Sequence, residues 1–440
     1  MKRFNSDLRV NTVAIDDIKP YENNPWEHPP EQVSLIGRSI KKHGFVAPIL
    51  VNKDMVVIAG HGRLLAAKEL GMSHVPVIIL PHLTEAEERS LRIADNKISH
   101  QGRWSVENLR AEFELIVEHD VSFDPVDIGF QTAEFDAIRF GNKEEAEPDL
   151  VPEPDPDAAV VTQSSDVWTS TDGRYRVVCG DARDPEVYVR LLVNDKADMA
   201  ISDPPYNVPI NGHVSGQGKV RHSEFAMASG EMSETEFASF TEEVLTHQRD
   251  FSRPGAVSMQ FIDWRSVEMM IGVGKRVYGT MLNLCIWLTT NAGLGSMWRS
   301  QYEMVCVFRT PGGKHPNNVQ LGRHGRNRST IWKYAGVNSF RKDRMKDLQA
   351  HPTCKPVDLI ADAILDVTNR NDLVLDAFLG SGTMLLAAHK TGRRAAGIEI
   401  DPRYVDLAIT RFTDATGVHF TNQDGQSFEE AKAARIHGDK

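Results

Sequence analysis

The residues of this chain best suited to chemistry lie in the run Ser202-Asp203-Pro204-Pro205-Tyr206-Asn207. Two prolines stiffen the backbone where it leaves a buried strand. Asp203 thereby becomes a fixed acceptor at the strand end, with the Tyr206 ring beside it. A carboxylate and a neighbouring backbone carbonyl can together accept both N–H bonds of an amino group on an aromatic base. Such an amine is a poor nucleophile, because its lone pair is delocalised into the ring. Two fixed acceptors draw it towards tetrahedral geometry and expose the lone pair. Tyr206 can then stack on a base extruded from a duplex, since the reacting atom cannot reach an active site while the base is stacked. The plainer alternative is a Pro-Pro turn that merely closes a strand.

A second loop, Asp376-Ala377-Phe378-Leu379-Gly380-Ser381-Gly382-Thr383, follows the apolar run Leu373–Leu375 and opens a helix. Gly380 and Gly382 allow close approach of backbone to a ligand. Glycine loops also hold phosphates, but here Thr383 and Met384 follow Gly382, so the Gly-Lys-Thr pattern of phosphate loops is absent. Glu399 closes the next apolar run about twenty residues on, the spacing at which a carboxylate takes ribose hydroxyls. The combination points to a nucleoside-containing cofactor bound without a pyrophosphate.

These loops need a scaffold that presents strand ends. Strands are expected at 175–179, 199–202, 256–261, 283–288, 304–309, 373–377 and 395–400. Helices are expected at 185–192, 234–248, 356–367, 383–391 and 403–413, with a Ser233/Glu236 capping box starting the second. The alternation predicts an α/β fold with a mainly parallel sheet covered on both faces, and ligands at the carboxyl ends of its strands. Ahead of it, short strands at 46–51, 55–59 and 75–80, with helices at 63–70, 85–98 and 105–118, predict a small α/β unit. Residues 143–157 hold seven acids and four prolines, a composition that favours an extended, self-repelling linker. The expected organisation is 1–140, a linker at 141–160, a main domain at 161–425 and a polar tail at 426–440.

Hydrophobic residues make up 41% of the 440, enough for sizeable cores. The four cysteines are scattered, with no CxxC pair, which argues against a disulfide framework or clustered zinc site and fits a reducing cytoplasm. No apolar run is long enough to span a bilayer. The net charge of −11 argues against a protein that coats nucleic acid indiscriminately. Locally the balance reverses: residues 314–346 hold nine Lys/Arg and one acid. That stretch is either a solvated loop or a nucleic-acid contact.

With these motifs in view, residues 165–415 resemble the amino-methyltransferases of DNA, the N6-adenine/N4-cytosine family. Asp203-Pro204-Pro205-Tyr206 matches the catalytic motif and precedes the cofactor loop, an order similar to the beta class. His351-Pro352-Thr353-Cys354-Lys355-Pro356 and Gly180-Asp181 match two further family segments. The resemblance implies a Rossmann-like fold and S-adenosylmethionine as cofactor. It implies a cofactor site of Asp181, Lys355, Asp376, Phe378, Gly380, Ser381, Gly382, Thr383 and Glu399, with no metal. It places a target-recognition segment at 311–350, where Arg323, Arg326 and Arg328 are the candidates for double-stranded DNA. Adenine N6 is the expected target, and cytosine N4 stays open. A methyltransferase fold kept as a relic on a DNA-binding protein, and an RNA target, are the competing readings. Any restriction endonuclease would be a separate chain, and oligomeric state is open.

Residues 11–96 resemble the N-terminal domain of ParB-like proteins, through Ile15–Pro25, His43–Ile49 and Ala59–Ala67. In the last segment Gly60, Gly62 and Arg63, at a strand–turn–helix, are candidates to hold a phosphate. The chain departs from the partition proteins at Ala94-Asp95-Asn96-Lys97, which speaks against nucleotide hydrolysis. Catalysis by this unit is not expected.

Overall fold

The computed structural model describes residues 8–141, 154, 159–207, 230–290, 297–335 and 355–437. The chain divides into two units, residues 1–139 and 140–440. Nearly all of the expected linker, residues 208–229, residues 336–346 of the basic stretch with Phe340, and His351–Cys354 lie outside the described residues.

The first unit is built on a four-stranded sheet of order β1-β4-β2-β3, from β1 (Val10–Ala14), β2 (Ile49–Val51), β3 (Val57–Ala59) and β4 (His74–Ile79). Its helices are α1 (Pro30–His43), α2 (His61–Glu69), α3 (Glu85–Ser99), α4 (Val106–His119) and α5 (Thr132–Phe140). Ile49, Val51, Val57, Leu64, Val75 and Val77 form the core under the sheet. Phe113, Phe123 and Phe135 form a second cluster. A Thr84/Glu87 capping box starts α3, and Pro30 in the first turn starts α1. The strand β1 and the helices α1 and α5 were not expected from the sequence.

The second unit carries a ten-stranded sheet. In chain order its elements are β5 (Val167–Ser170), β6 (Tyr175–Cys179), α6 (Pro185–Leu192), β7 (Ala197–Ser202), α7 (Glu234–Asp250), β8 (Ser252–Ile262), α8 (Val267–Tyr278), β9 (Thr280–Leu288), β10 (Tyr302–Arg309) and β11 (Ile331–Lys333). There follow α9 (Val357–Val367), β12 (Leu373–Asp376), α10 (Thr383–Thr391), β13 (Arg394–Glu399), α11 (Pro402–Thr416), β14 (Phe420–Asn422) and α12 (Phe428–His437). The strand order is β11-β9-β10-β8-β7-β12-β13-β6-β5-β14. The central run β8-β7-β12-β13-β6 is parallel. Antiparallel pairs flank it: β10 with β8 and β9 on one side, β5 with β6 and β14 on the other.

Side chains alternate across the sheet with period two, and the two faces feed different cores. Along β12, Leu373 and Leu375 join a cluster with Val187, Leu191, Phe237 and Phe240 of α6 and α7. Val374, between them, joins Leu359, Ile364, Leu385 and Phe412 of α9, α10 and α11. Burial on both faces explains why these strands read as unbroken apolar runs rather than alternating ones.

The tail expected at 426–440 is instead part of this unit. The Phe428 ring of α12 lies 5.3 Å from Trp168. Ala431 is buried in the same core, and Arg435 pairs with the buried Asp166. Its polar composition reflects an outer face, while one inner stripe supplies the contacts. Among the described residues, no helix is long and apolar enough to cross a membrane.

Candidate active site

Four adjacent parallel strands, β7, β12, β13 and β6, each lead to a carboxylate at their carboxyl ends: Asp203, Asp376, Glu399 and Asp181. The sequence placed these side chains up to about two hundred residues apart, and the strand order makes them neighbours. Ser202, the last residue of β7, accepts hydrogen bonds on its Oγ from the Ala377 amide and from Gln248 Nε2, both at 3.0 Å. This hydroxyl fastens the Asp203 loop to the glycine loop. Gln248 in turn accepts from Gln260 Nε2 at 2.7 Å, so the floor of the site is a connected, buried polar chain.

Asp203 sits within a compact network. The Tyr206 hydroxyl donates to Asp203 Oδ1 at 2.6 Å and lies 3.0 Å from Glu303 Oε2. Lys355 Nζ pairs with Asp203 Oδ2 at 2.5 Å and with Glu303 Oε2 at 3.0 Å. The ammonium is buried and faces the rings of Phe261 at 5.2 Å, Trp287 at 5.6 Å and Tyr206 at 6.0 Å. Burial alone would lower the Lys355 pKa, but Asp203 and Glu303 hold it above the ordinary lysine value. Burial, with the two carboxylates, pushes the Tyr206 phenol well up, so it stays a donor.

This arrangement relocates one residue. Lys355 was expected at the cofactor; it stands against Asp203 and Glu303, between the loop that follows β7 and the start of β10, two strands away across β8. Tyr206 packs its ring on the Ile262, Met270 and Met304 cluster and stays partly exposed. Its hydroxyl anchors it, a role its position in the motif did not reveal.

At the second loop, Gly380 and Gly382 have φ of +53° and +81°, the left-handed region glycine favours. A Cβ on Gly382 would stand 2.9 Å from Ala408 Cβ. The Gly380 amide donates to Glu399 Oε2 at 2.8 Å, and the Asp401 amide to Oε1 at 2.9 Å. Asp376 accepts from the Phe378 amide at 3.0 Å. Burial pushes both Asp376 and Glu399 up to about 7. Phe378 packs beside Phe240 at 6.0 Å. Arg411, which the sequence did not single out, donates to the Ser381 carbonyl at 2.9 Å and to Thr383 Oγ1 at 3.1 Å. The Ser381 and Thr383 hydroxyls therefore serve the shape of the loop. Burial raises the Asp181 pKa, but hydrogen bonds from Arg183 at 2.6 and 3.1 Å outweigh it and hold the carboxyl below its usual value.

The donor set discriminates between ligands. A row of carboxylates repels a pyrophosphate, and it suits hydroxyl groups and a cationic centre. A nucleoside carrying a sulfonium meets both requirements, so the residues present fit S-adenosylmethionine.

The basic segment divides differently from expectation. Arg323 is exposed. Arg326 and Arg328 are turned inward and do not present a surface to DNA. Arg326 is 3% exposed and pairs with Asp366 at 2.6 Å and Asp362 at 3.3 Å. Arg328 pairs with the same two carboxylates and donates to Tyr334 at 2.8 Å. Charge counting could not separate these arginines, because their partners lie on α9, some forty residues away. Glu303 also escaped notice, although a lone acid opening the apolar strand Tyr302–Arg309 was a legible signal.

In the first unit, Gly60 has φ +101° and caps α2. A Cβ there would meet the Arg63 guanidinium at 2.8 Å, and one on Gly62 would meet His28 at 2.9 Å. Arg92 lies 3.7 Å over the Tyr21 ring. Nε of both Arg63 and Arg92 is buried without a hydrogen-bond partner. Burial, with Arg92 and His28, lowers His61 to about 4. The cluster is cationic and under-partnered. Among the described residues, no group of acids, histidines or cysteines could hold a metal ion.

Residues 197–410 match the DNA methylase family, and residues 1–97 match the ParB N-terminal domain. The chain is 29% identical over 287 residues to the DNA adenine methyltransferase YhdJ of Escherichia coli (strain K12), covering 59% of this chain and 89% of that protein. It is 40% identical over 82 residues to the ParB-like nuclease domain-containing protein YnaK of the same organism, covering 19% of this chain and 94% of the relative. A solved structure of the PvuII DNA methyltransferase (cytosine-N4-specific) aligns with 62% of this chain and 95% of its own, at 16% identity and a TM-score of 0.43.

Proposed function

From a chain that belongs to the DNA methylase family of N6-adenine/N4-cytosine type and carries a ParB N-terminal domain, we propose transfer of a methyl group from S-adenosylmethionine to N6 of adenine in double-stranded DNA. The observation that carries this reading is the position of Asp203. Its carboxylate stands at the end of β7, one strand from the glycine loop, to which Ser202 ties it. Bound along the row Asp376, Glu399 and Asp181, the cofactor supplies an electrophilic methyl on a sulfonium. The chain's own part is positioning and charge. Asp203 and the Pro204 carbonyl accept the amino N–H bonds and expose the lone pair. Tyr206, anchored through its hydroxyl, offers its ring to the extruded base. Asp203 is also placed to receive the proton the nitrogen sheds. Phe378 borders the cofactor, Glu399 takes its ribose hydroxyls, and Gly380 and Gly382 bring the backbone close.

Adenine is preferred to cytosine because Asp opens the motif where the cytosine enzymes more often carry Ser, and because YhdJ is named an adenine methyltransferase. The test is to incubate the full chain with duplex DNA and cofactor, digest to nucleosides and weigh the products. N6-methyladenine is expected. N4-methylcytosine alone overturns the adenine assignment, and label on RNA but not DNA overturns the substrate. In the first unit, Gly60, Gly62 and Arg63, with Arg92, form a phosphate-binding site, supported by the partnerless guanidinium nitrogens.

A further inference from the structure

Each oxygen of Asp203 already accepts a hydrogen bond from a neighbouring side chain. Oδ1 accepts the Tyr206 phenol and Oδ2 the Lys355 ammonium. The proposed reaction nevertheless asks this carboxylate to accept an N–H of the incoming amine. Withdrawing Asp203 Oδ1 from the phenol would strand a buried donor, unless a second acceptor stands ready. Glu303 is that acceptor. Its Oε2 lies 3.0 Å from the Tyr206 hydroxyl and 3.0 Å from Lys355 Nζ. The phenol has one proton and serves one carboxylate at a time, whereas the ammonium has three and serves both. The antiparallel pairing of β10 with β8 sets Met304 opposite Ile262, which brings Glu303 to the carboxyl edge beside the Asp203 loop.

Resting on the adenine-N6 reading above, we propose that Glu303 is a positioning residue of the methyl transfer, receiving the Tyr206 phenol when Asp203 Oδ1 turns to the amino group of the base. Lys355, held by its ring of aromatic side chains, stays between the two carboxylates and shares its charge with both. The handover exchanges one hydrogen bond for another and leaves no buried donor unpartnered. It frees one oxygen of Asp203 for the substrate while Oδ2 remains fixed.

The test compares the full chain with E303Q, E303D and Y206F variants and with the Y206F/E303Q double variant. Methyl incorporation into duplex DNA gives kcat and KM, and calorimetry gives cofactor affinity. Glutamine keeps the size but is a weaker acceptor. E303Q is expected to lower kcat between about 10- and 100-fold, with KM for DNA and cofactor Kd within about threefold. E303D is expected to recover part of the loss. In the Y206F background, where no phenol needs a second acceptor, the E303Q loss shrinks to about threefold or less. An unchanged kcat in E303Q overturns the proposal. So does an equal loss with and without the phenol, or a loss matched by falling cofactor affinity and melting temperature. Incorporation by the unmodified chain, and the identity of its product, decide the adenine reading separately.

Discussion

The Ala377 amide donates a hydrogen bond to Ser202 Oγ at 3.0 Å, joining the end of β12 to the end of β7. The same hydroxyl supports the Asp376 carboxyl and accepts from Gln248. One small side chain thus sets the spacing between the Asp203 loop and the glycine loop. A Ser202→Ala change leaves a buried amide N–H and a buried Gln248 N–H without their acceptor. The expected cost is about 1–3 kcal/mol of stability, together with weaker cofactor binding and slower methyl transfer. Chemical denaturation and calorimetry of the variant measure both. Wild-type stability in Ser202→Ala would mean that the two loops are tied by something else.

Asp203 separates binding from chemistry. Its carboxylate pairs with the Lys355 ammonium and is the proposed acceptor of the amine, while the glycine loop and Glu399 are the proposed cofactor contacts. Asp203→Ala is expected to lower kcat by about 10²–10³-fold, the usual scale for removing one preorganised polar group, with cofactor Kd changed only a few-fold. Incorporation of labelled methyl checks the first and calorimetry the second. Unchanged incorporation would refute the role given to Asp203.

Much of this site was legible because strands buried on both faces announce themselves as apolar runs, and the chemistry follows directly after them. Asp203, Asp376 and Glu399 were found in that way. What was not legible depends on pairing in space. Lys355 reads as a cofactor residue along the chain, and only the packing in space shows it paired with Asp203 and Glu303. Arg411 lies on the outer part of an amphipathic helix, with nothing in its spacing to mark the two hydroxyls it holds. The helix α12 looked like a tail because its described residues expose a polar face, while Ala431, Phe428 and Arg435 supply the inner contacts. The small strands β11 and β14 are three residues each, too short for a period-two pattern to register.

Cofactor binding should depend on pH near neutrality. Burial holds Asp376 and Glu399 at about 7, so below that value they carry protons and lose charge. A sulfonium and ribose hydroxyls are better matched by the ionised forms. Affinity for S-adenosylmethionine is therefore expected to rise from pH 6 to pH 8, and less steeply for the product, which lacks the cationic sulfur. Both pKa values are raised above those of an unfolded chain. Between about pH 4 and 7 the folded state consequently binds more protons, and the contribution of these groups to stability falls as pH rises through that window. Calorimetric titrations and denaturation curves at pH 5, 6, 7 and 8 measure these two trends. A pH-independent affinity ratio between cofactor and product would contradict this assignment.

The three candidate arginines Arg323, Arg326 and Arg328 should behave as two kinds of residue. Arg323 is exposed, so Arg323→Ala leaves stability within about 0.5 kcal/mol. If it meets DNA phosphate, the variant weakens binding and reduces the dependence of affinity on salt by about one unit of slope. Arg326 is buried between Asp362 and Asp366. Among the described residues, Arg326→Met leaves Asp366 paired with Arg328 alone and strips one side of a buried pair, a change that costs about 3–5 kcal/mol when the remaining charge is uncompensated. Its effect on DNA binding should follow the loss of folded protein and leave the salt slope of the folded fraction unchanged. Denaturation midpoints set beside DNA affinity at several salt concentrations distinguish the two. An Arg326→Met protein as stable as the parent, but with a shallower salt slope, would show that this arginine leaves its carboxylates to meet the phosphate backbone.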